Sequence, residues 1–267
     1  MNKQIVESLV AIVGALGAAA AIAWAGSQGG ISIGGLPLFA LAGAFAFLVQ
    51  WVVFIPSYAA QTEHYYDLTG SLTYLTVVVG TLALAGRFDA RSIVLTLLVS
   101  VWALRLGSFL YRRIKRAGSD GRFDAIKPSL SRFLMAWTVQ GLWVFLTLSA
   151  ALAAMTTEAS APLGALGLIG AAVWVGGFLI EAVSDHQKRV FRNDPANAGR
   201  FITTGLWAWS RHPNYFGEIL LWIGIALIAL PVLTGWQYVT LVSPLFVYLL
   251  LTRVSGIPLL ERRAEER

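Results

Sequence analysis

The chain has no cysteine. That excludes a disulfide framework and a thiolate nucleophile, and it removes any clue to redox compartment. Histidine is almost as scarce, with only His64, His186 and His212. A histidine-rich metal centre therefore has little to be built from, and no metal site is expected. Charge is the third shortage: 13% of the 267 residues are charged, against about a quarter in ordinary globular domains. What fills the gap is hydrocarbon, 57% hydrophobic residues with ten Trp and a mean hydropathy of +0.69. This composition points to an integral membrane protein. The net charge of +6 would suggest nucleic acid in a soluble protein. In a membrane protein basic loops have a simpler cause, and no nucleic-acid partner is expected.

A membrane span needs roughly 20 mostly apolar residues. Eight segments qualify: Ile5–Ala25, Gly35–Pro56, Ser71–Ala85, Ser92–Tyr111, Phe133–Met155, Pro162–Ala182, Tyr215–Leu230 and Trp236–Ser255. The fold class is therefore an all-α integral membrane bundle of about 8 helices, within a range of about 7 to 9. The third and seventh segments are short, which suggests tilt or burial by neighbours. Lys3, the apolar run after it and Ala23-Trp24-Ala25 also have signal-peptide character. Glu7 and the length of the run favour a retained helix. Gly26 to Gly30 reads as a flexible turn, Leu230 to Gly235 as a tight hairpin, and Pro244 as a kink in the last span. No repeat or linker divides the chain, so 1–267 is one transmembrane domain.

Loop charge sets the expected orientation. With the N-terminus inside, the inner segments hold Lys3, seven basic residues from Arg112 to Arg132, five from Lys188 to Arg211 and four from Arg253 to Arg267. The outer loops hold Arg87 and Arg91. Seventeen against two is a strong positive-inside bias. Both termini, and the polar ends of spans six and seven, are expected on the cytoplasmic side.

Charges within spans are costly and usually face the bundle interior or a wet cavity. Here they are Arg105, Glu181, Asp185, Glu218 and Arg253. Glu181, Asp185, Lys188 and Arg192 are spaced four, three and four, which places them on one helical face. That stripe is either an ion-paired ladder leaving the membrane or the wall of a nucleotide site, with carboxylates deep and guanidiniums near the surface. Ser210-Arg211-His212-Pro213-Asn214-Tyr215-Phe216-Gly217-Glu218 supplies an opposing wall. Pro213 suits the first turn of a helix, and Gly217 permits close approach of a helix or a ligand. Arg211 with Tyr215, and Asn214 with Glu218, are four apart. Arg253 is given an inward role, and Glu261 lies on the following tail. A second polar island, Gln61-Thr62-Glu63-His64-Tyr65-Tyr66-Asp67, precedes the third span. An acid and a phenol together suit polarising a carbonyl and donating a proton.

These stretches resemble the membrane steroid 5α-reductase-like superfamily, most closely a bacterial branch of it. The resemblance is carried by Thr204 to Trp207 with Arg211 to Glu218, by Thr62 to Ser71, by Arg113 to Phe123 and by Gly256 to Glu261. It covers about residues 60–263, so that 1–60 are additional N-terminal helices and 61–267 the reductase-like region. It implies NADPH in a cytosol-facing cavity within 181–261. Asp185, Arg189 and Arg192 fall on that family's post-helix aspartate and arginines, Asn214 and Glu218 on its Asn and Glu pair, and Arg253 on an arginine of its final helix. Glu181, Arg200, Arg211, His212 and Tyr215 complete the expected cofactor set. Hydride would pass to the conjugated double bond of a lipophilic substrate, steroid-like, prenyl or enoyl. A Glu and Tyr pair would polarise its carbonyl, with Glu63 as the acid and Tyr66 or Tyr111 as the phenol. The implied setting is a bacterial cytoplasmic membrane with the bilayer and a lipophilic small molecule as partners, and no protein partner.

Arg211 to Gly217 is also similar to membrane methyltransferases of the isoprenylcysteine and phospholipid type, which bind S-adenosylmethionine and to which Glu261 would contribute. Arg189, Arg192, Arg200 and Arg211 favour NADPH, whose phosphates S-adenosylmethionine lacks. A non-catalytic lipid-binding membrane protein is the remaining alternative.

Overall fold

A computed structural model describes residues 3–254. Within them eight helices are long and apolar enough to cross a membrane. They are α1 (Lys3–Gly26), α2 (Leu38–Ala59), α3 (Tyr66–Ala85), α4 (Ala90–Ala117), α5 (Leu130–Thr156), α6 (Gly164–Asn193), α7 (Pro213–Ala229, carried on to Val232 by a 3-10 turn) and a last span. That last span starts as a 3-10 helix, Gly235–Leu241, becomes α8 (Val242–Leu249) and ends in a π turn, Leu250–Val254. Thr234 and Gln237 form a reciprocal capping box at its start. Pro244 sits in the first turn of α8, where a missing amide is tolerated. The proline thus marks a change of helix type. Ser255 and the tail from Gly256 to Glu261 lie outside the described residues.

Hydropathy marks the apolar length of each helix and misses its polar continuation. α3 begins five residues before the expected Ser71, α4 runs to Ala117 and not Tyr111, and α6 runs to Asn193 and not Ala182. In each case the added turns carry charge that suits the helix end: Asp67 in the first turn of α3, Lys115 and Arg116 in the last of α4, Arg192 in the last of α6. The segment after α1 is less free than its glycines suggested. Ile31 N–H donates to the Thr156 carbonyl at 2.7 Å and Glu158 N–H to the Gly29 carbonyl at 2.9 Å. Gly34 and Gly35, both with positive φ, then turn a small hairpin of β1 (Ser32–Ile33) and β2 (Leu36–Pro37).

α5 is the central mast. Every residue from Val144 to Thr156 on it is buried, packed by α1, α2, α3, α7 and α8. The closest pair is α6 with α7, and glycine is the reason. Gly177 and Gly217 face each other, as do Gly170 and Gly224: a Cβ on Gly177 would stand 2.6 Å from the Gly217 carbonyl, and one on Gly224 2.6 Å from the Gly170 carbonyl. Small residues at this spacing let two backbones touch without side chains between them. Gly217 therefore admits a helix and not a ligand. At the far end of the bundle Arg87 and Arg91 act as fasteners. Arg87 donates to the Thr157 carbonyl. Arg91, fully buried, donates to the Ile228 carbonyl and, at 2.7 Å, to that of Pro162.

Candidate functional site

The glycine contacts fix the register of α6 against α7 and so decide which polar groups meet. With Gly217 seated against Gly177 and Glu181, the first turn of α7 stands beside the carboxyl groups of α6. Asn214 donates to Asp185 at 3.3 Å. Arg105 of α4 reaches across and binds two acids at once, Glu181 at 2.6 Å and Asp185 at 2.6 Å. Its guanidinium also lies over the Phe178 ring, 5.5 Å from the centroid. The ladder within α6 is therefore not what forms: its acids pair with Arg105, Lys188 lies 4.6 Å above the Trp207 ring, and Arg192 is exposed. Sequence spacing does not pair Arg105, because its partners are 76 and 80 positions away.

Glu218 is one turn into α7, on the same side as this cluster. It lies deep in the bundle with Glu181, Asp185 and Arg105 as its charged neighbours, yet part of its surface is uncovered. Among the described residues no hydrogen bond or ion pair reaches its carboxyl group, and Asn214, four residues before it, turns to Asp185. Further atoms of the cluster are buried without a partner: Glu181 Oε2 and Asn214 Oδ1. Buried polar atoms in native proteins are satisfied with few exceptions, and these two lie among the three carboxyl groups.

Beneath the acids lies an aromatic floor from three helices. Tyr74 of α3 meets Trp102 of α4 edge-on at 5.0 Å, and Trp102 meets Trp222 of α7 edge-on at 5.1 Å. Trp102 borders Glu181, and Trp222 is one turn beyond Glu218. The Tyr74 hydroxyl is buried and makes no regular hydrogen bond, although Thr147 of α5 lies beside it. Neither Tyr74 nor Trp222 stood out in the sequence, since each sits in an ordinary apolar run.

The remaining expected cofactor residues form a rim. Arg189, Arg200 and Arg211 are exposed, as is Arg192; Arg189 contacts the His186 ring at 2.8 Å. His212 and Tyr215 stack at 5.3 Å, 9° from parallel, so Tyr215 faces His212 and not Arg211. Arg253 is exposed at the end of the last span, which corrects its inward assignment. Glu261 lies outside the described residues.

The island around Glu63 has a different character. Glu63 is 3% exposed, and both its oxygens are engaged: Oε1 accepts from the Asp120 amide at 2.8 Å and Oε2 from Lys127 at 2.9 Å. Burial pushes its carboxyl up, but the Asp120 amide and the Lys127 ammonium outweigh this and hold it below the usual carboxylate range. Lys127 is raised in return, chiefly by its bond to Glu63. Asp67 pairs with Arg113 at 2.9 Å, and Asp120 with Arg122 at 2.5 Å. The Tyr66 hydroxyl donates to the Ala136 carbonyl at 2.9 Å, and its ring is packed among Phe123 and Trp137. Tyr111 is exposed on α4. The three residues expected to do chemistry are thus not brought to one point. Glu63 and Tyr66 fasten the α4–α5 loop instead.

Comparison with known proteins identifies the family of the chain. An uncharacterised protein of Schizosaccharomyces pombe is 26% identical over 164 residues, 51% of this chain and 48% of that protein. The 3-oxo-5-alpha-steroid 4-dehydrogenase 1 of Bos taurus is 35% identical over 71 residues, 27% of each chain. That of Homo sapiens is 40% identical over 60 residues, 22% of this chain and 23% of the human one. The matched stretches cover less than half of each of these relatives. No solved structure matches. The model of the family described as "Protein of unknown function (DUF1295)" matches residues 53–267, all of the bundle except α1 and the first part of α2. With eight membrane-length helices and a family match over most of its length, the chain belongs to the DUF1295 family of the steroid 5-alpha-reductase-like superfamily.

Proposed function

We propose that the protein is a membrane-embedded, NADPH-dependent reductase of a conjugated double bond in a lipophilic substrate, with its cofactor cleft open to the cytosol. The observation that carries this reading is the incomplete acid cluster. Three carboxyl groups, Glu181, Asp185 and Glu218, share one guanidinium, Arg105, and leave acceptor atoms of Glu181 and Asn214 unused. Such a set fits the amide and hydroxyl donors of a nicotinamide riboside. The exposed guanidiniums of Arg189 and Arg192, one turn apart at the end of α6, fit its phosphates. When bound, the dinucleotide would supply a hydride, and its ring gains positive charge in giving it up. The carboxyl groups compensate that charge from fixed positions, which is where electrostatic catalysis is most effective.

Reduction also consumes a proton. Hydride addition to the β-carbon of an enone moves the π pair onto the carbonyl oxygen, which must then be protonated. With Glu63 and Tyr66 engaged elsewhere, we assign the proton donor to Tyr74. Its O–H would protonate the oxygen to give an enol, which tautomerises to the saturated ketone by moving that proton to the α-carbon. Glu218, one turn above the aromatic floor, would return a proton to the phenolate from the cytosolic side. The substrate then lies against Tyr74, Trp102 and Trp222, an apolar floor suited to a flat lipophilic ring or chain.

A second reading is supported by the same excess of carboxyl groups: S-adenosylmethionine carries a sulfonium and an ammonium that an acid-rich cleft would also favour. Thermal denaturation of the detergent-purified protein separates the two. NADPH is expected to raise the melting temperature, by about 2.7 kcal/mol of stabilisation at a hundredfold excess over its dissociation constant. Stabilisation by S-adenosylmethionine with none by NADPH would overturn the reductase reading.

A further inference from the structure

The connection between α6 and α7, residues 194–212, is not consumed by the cleft. Trp209 is 92% exposed and Phe201 79% exposed, the two most exposed large apolar side chains among the described residues. Arg200 and Arg211 flank them and are exposed. Asp194 is the sole acid of the connection, against these two arginines. The depth at which Trp209 is held indicates what meets its ring.

α7 with its 3-10 extension, Pro213–Val232, is 20 residues long, about 30 Å at 1.5 Å per residue, which matches the hydrocarbon thickness of a bilayer. Pro213 therefore marks the inner boundary of the hydrocarbon. The Gly177–Gly217 contact puts Pro213 level with Glu181 on α6. α6 continues twelve residues further, Glu181 to Asn193, or about 18 Å beyond the boundary. The connection descends again from that height. Leu206 N–H donates to Gln187 at 3.0 Å and the Trp207 indole to the Ser184 carbonyl at 3.0 Å. Trp207 is thereby pinned about one turn above Pro213, and Trp209 sits between the two. Trp209 is held at headgroup depth with its ring facing away from the protein.

We propose that this connection is a membrane-docking strap: Trp209 inserts among the headgroups of the adjoining leaflet, and Arg211, two residues before Pro213, binds the phosphates of its anionic lipids. Aromatic rings favour that layer because one edge is apolar and the other wet, and arginine binds phosphate through paired N–H donors. The assignment does not depend on the reaction proposed above. It also divides the basic residues: Arg189 and Arg192, roughly 12–17 Å beyond the boundary on α6, serve the cofactor, while Arg211 serves the lipid.

The test uses the full chain in nanodiscs. The fluorescence of Trp209 is taken as the difference between wild type and Trp209→Phe, so that the other tryptophans cancel. Lipids brominated near the headgroup are expected to quench it more than lipids brominated at the chain end. Quenching by aqueous iodide, with none by either lipid, would overturn the docking. For the charges, spin-labelled phosphatidylglycerol is compared with spin-labelled phosphatidylcholine. Arg211→Gln is expected to lower the preference for phosphatidylglycerol about fivefold, with recovery in Arg211→Lys. If Arg211→Gln weakens NADPH-induced stabilisation and leaves the lipid preference intact, the arginine belongs to the cofactor and the lipid assignment fails.

Discussion

Two acid clusters stand at the same end of the bundle, and they are built on opposite plans. Around Glu63 every charge has its answer: Lys127 and the Asp120 amide for Glu63, Arg113 for Asp67, Arg122 for Asp120. Around Glu181 the account does not close. One guanidinium serves three carboxyl groups, and Glu218 is left with no bond. Both clusters contain acids spaced four apart, so their difference lies in what the fold brings opposite them. A closed set stabilises a loop. An open one has capacity for a ligand, and that is where perturbed, under-partnered groups have functional meaning.

Removing the single cation should have the largest effect. Arg105→Ala leaves Glu181 and Asp185 buried with no guanidinium. Breaking a buried pair from one side typically costs about 3–5 kcal/mol, read as a large drop in melting temperature. The variant is also expected to lose the link between α4 and α6. Adding Glu181→Gln should recover part of the loss by removing one stranded acid. A melting temperature within error of wild type for Arg105→Ala would mean that the clasp is not what holds α4 to α6.

Tyr74→Phe tests the open cluster from below. It removes a hydroxyl without a regular partner, so stability should change by no more than about 0.5 kcal/mol. Turnover should fall about 10²–10⁴-fold, the usual weight of a positioned proton donor, while NADPH-induced stabilisation is kept. A solvent isotope effect present in wild type should vanish from the residual rate. Full turnover in Tyr74→Phe would remove the phenol from the mechanism and leave Glu218 as the remaining candidate donor.

The contrast between the clusters also explains what the sequence disclosed. The spans were legible because apolar length is a local property; so was the α6–α7 pairing, through Gly217 and the polar run before it. Asp185 and Asn214 are each singled out by the family motif and the helical spacing, but that the two meet is visible only in the fold. Arg105 as their cation was not legible, since its partners come from a helix some eighty positions away and are chosen by the register of α6 on α7. Tyr74 and Trp222 were invisible for a related reason: inside a membrane span an aromatic residue is unremarkable until its neighbours are known. Glu63 misled in the other direction. Its acid-and-phenol island looks reactive in one dimension, and only the α4–α5 loop folding over it reveals Lys127 and the Asp120 amide.

Glu63→Gln should have a smaller effect than either change above, and of a different kind. The Asp120 amide can still donate to the amide oxygen, but the charge opposite Lys127 is lost. A hydrogen bond to a charged group is worth about 1.5–3 kcal/mol, and the exposure of the Lys127 ammonium places the expected loss at the lower end. Turnover per folded molecule should be unchanged, because Glu63 does not face the cleft. A normal melting temperature with slowed turnover would reverse this assignment and restore Glu63 as the acid.

The smallest effect is the pH dependence of the same clasp, and its sign can be worked out. Glu63 and Asp120 both have carboxyl groups held below their ordinary values, so the folded state binds their protons less readily than the unfolded chain does. Their stabilisation is fully present above the unfolded values, 4.5 for Glu63 and 3.8 for Asp120, and is lost as pH falls through the lower folded values. Lys127, raised by Glu63, contributes below its unfolded value of 10.5 and loses that contribution only as pH rises through its folded value. Between these limits the loop is clamped. Amide exchange of residues 118–129 should therefore be slow and flat near neutrality and accelerate, relative to intrinsic rates, below about pH 4. Glu63→Gln should remove much of that acid step, leaving the part that belongs to Asp120. An acid step of equal size in the variant would show that the loop is held by its aromatic packing against Phe133 and Trp137, with the ion pairs as passengers.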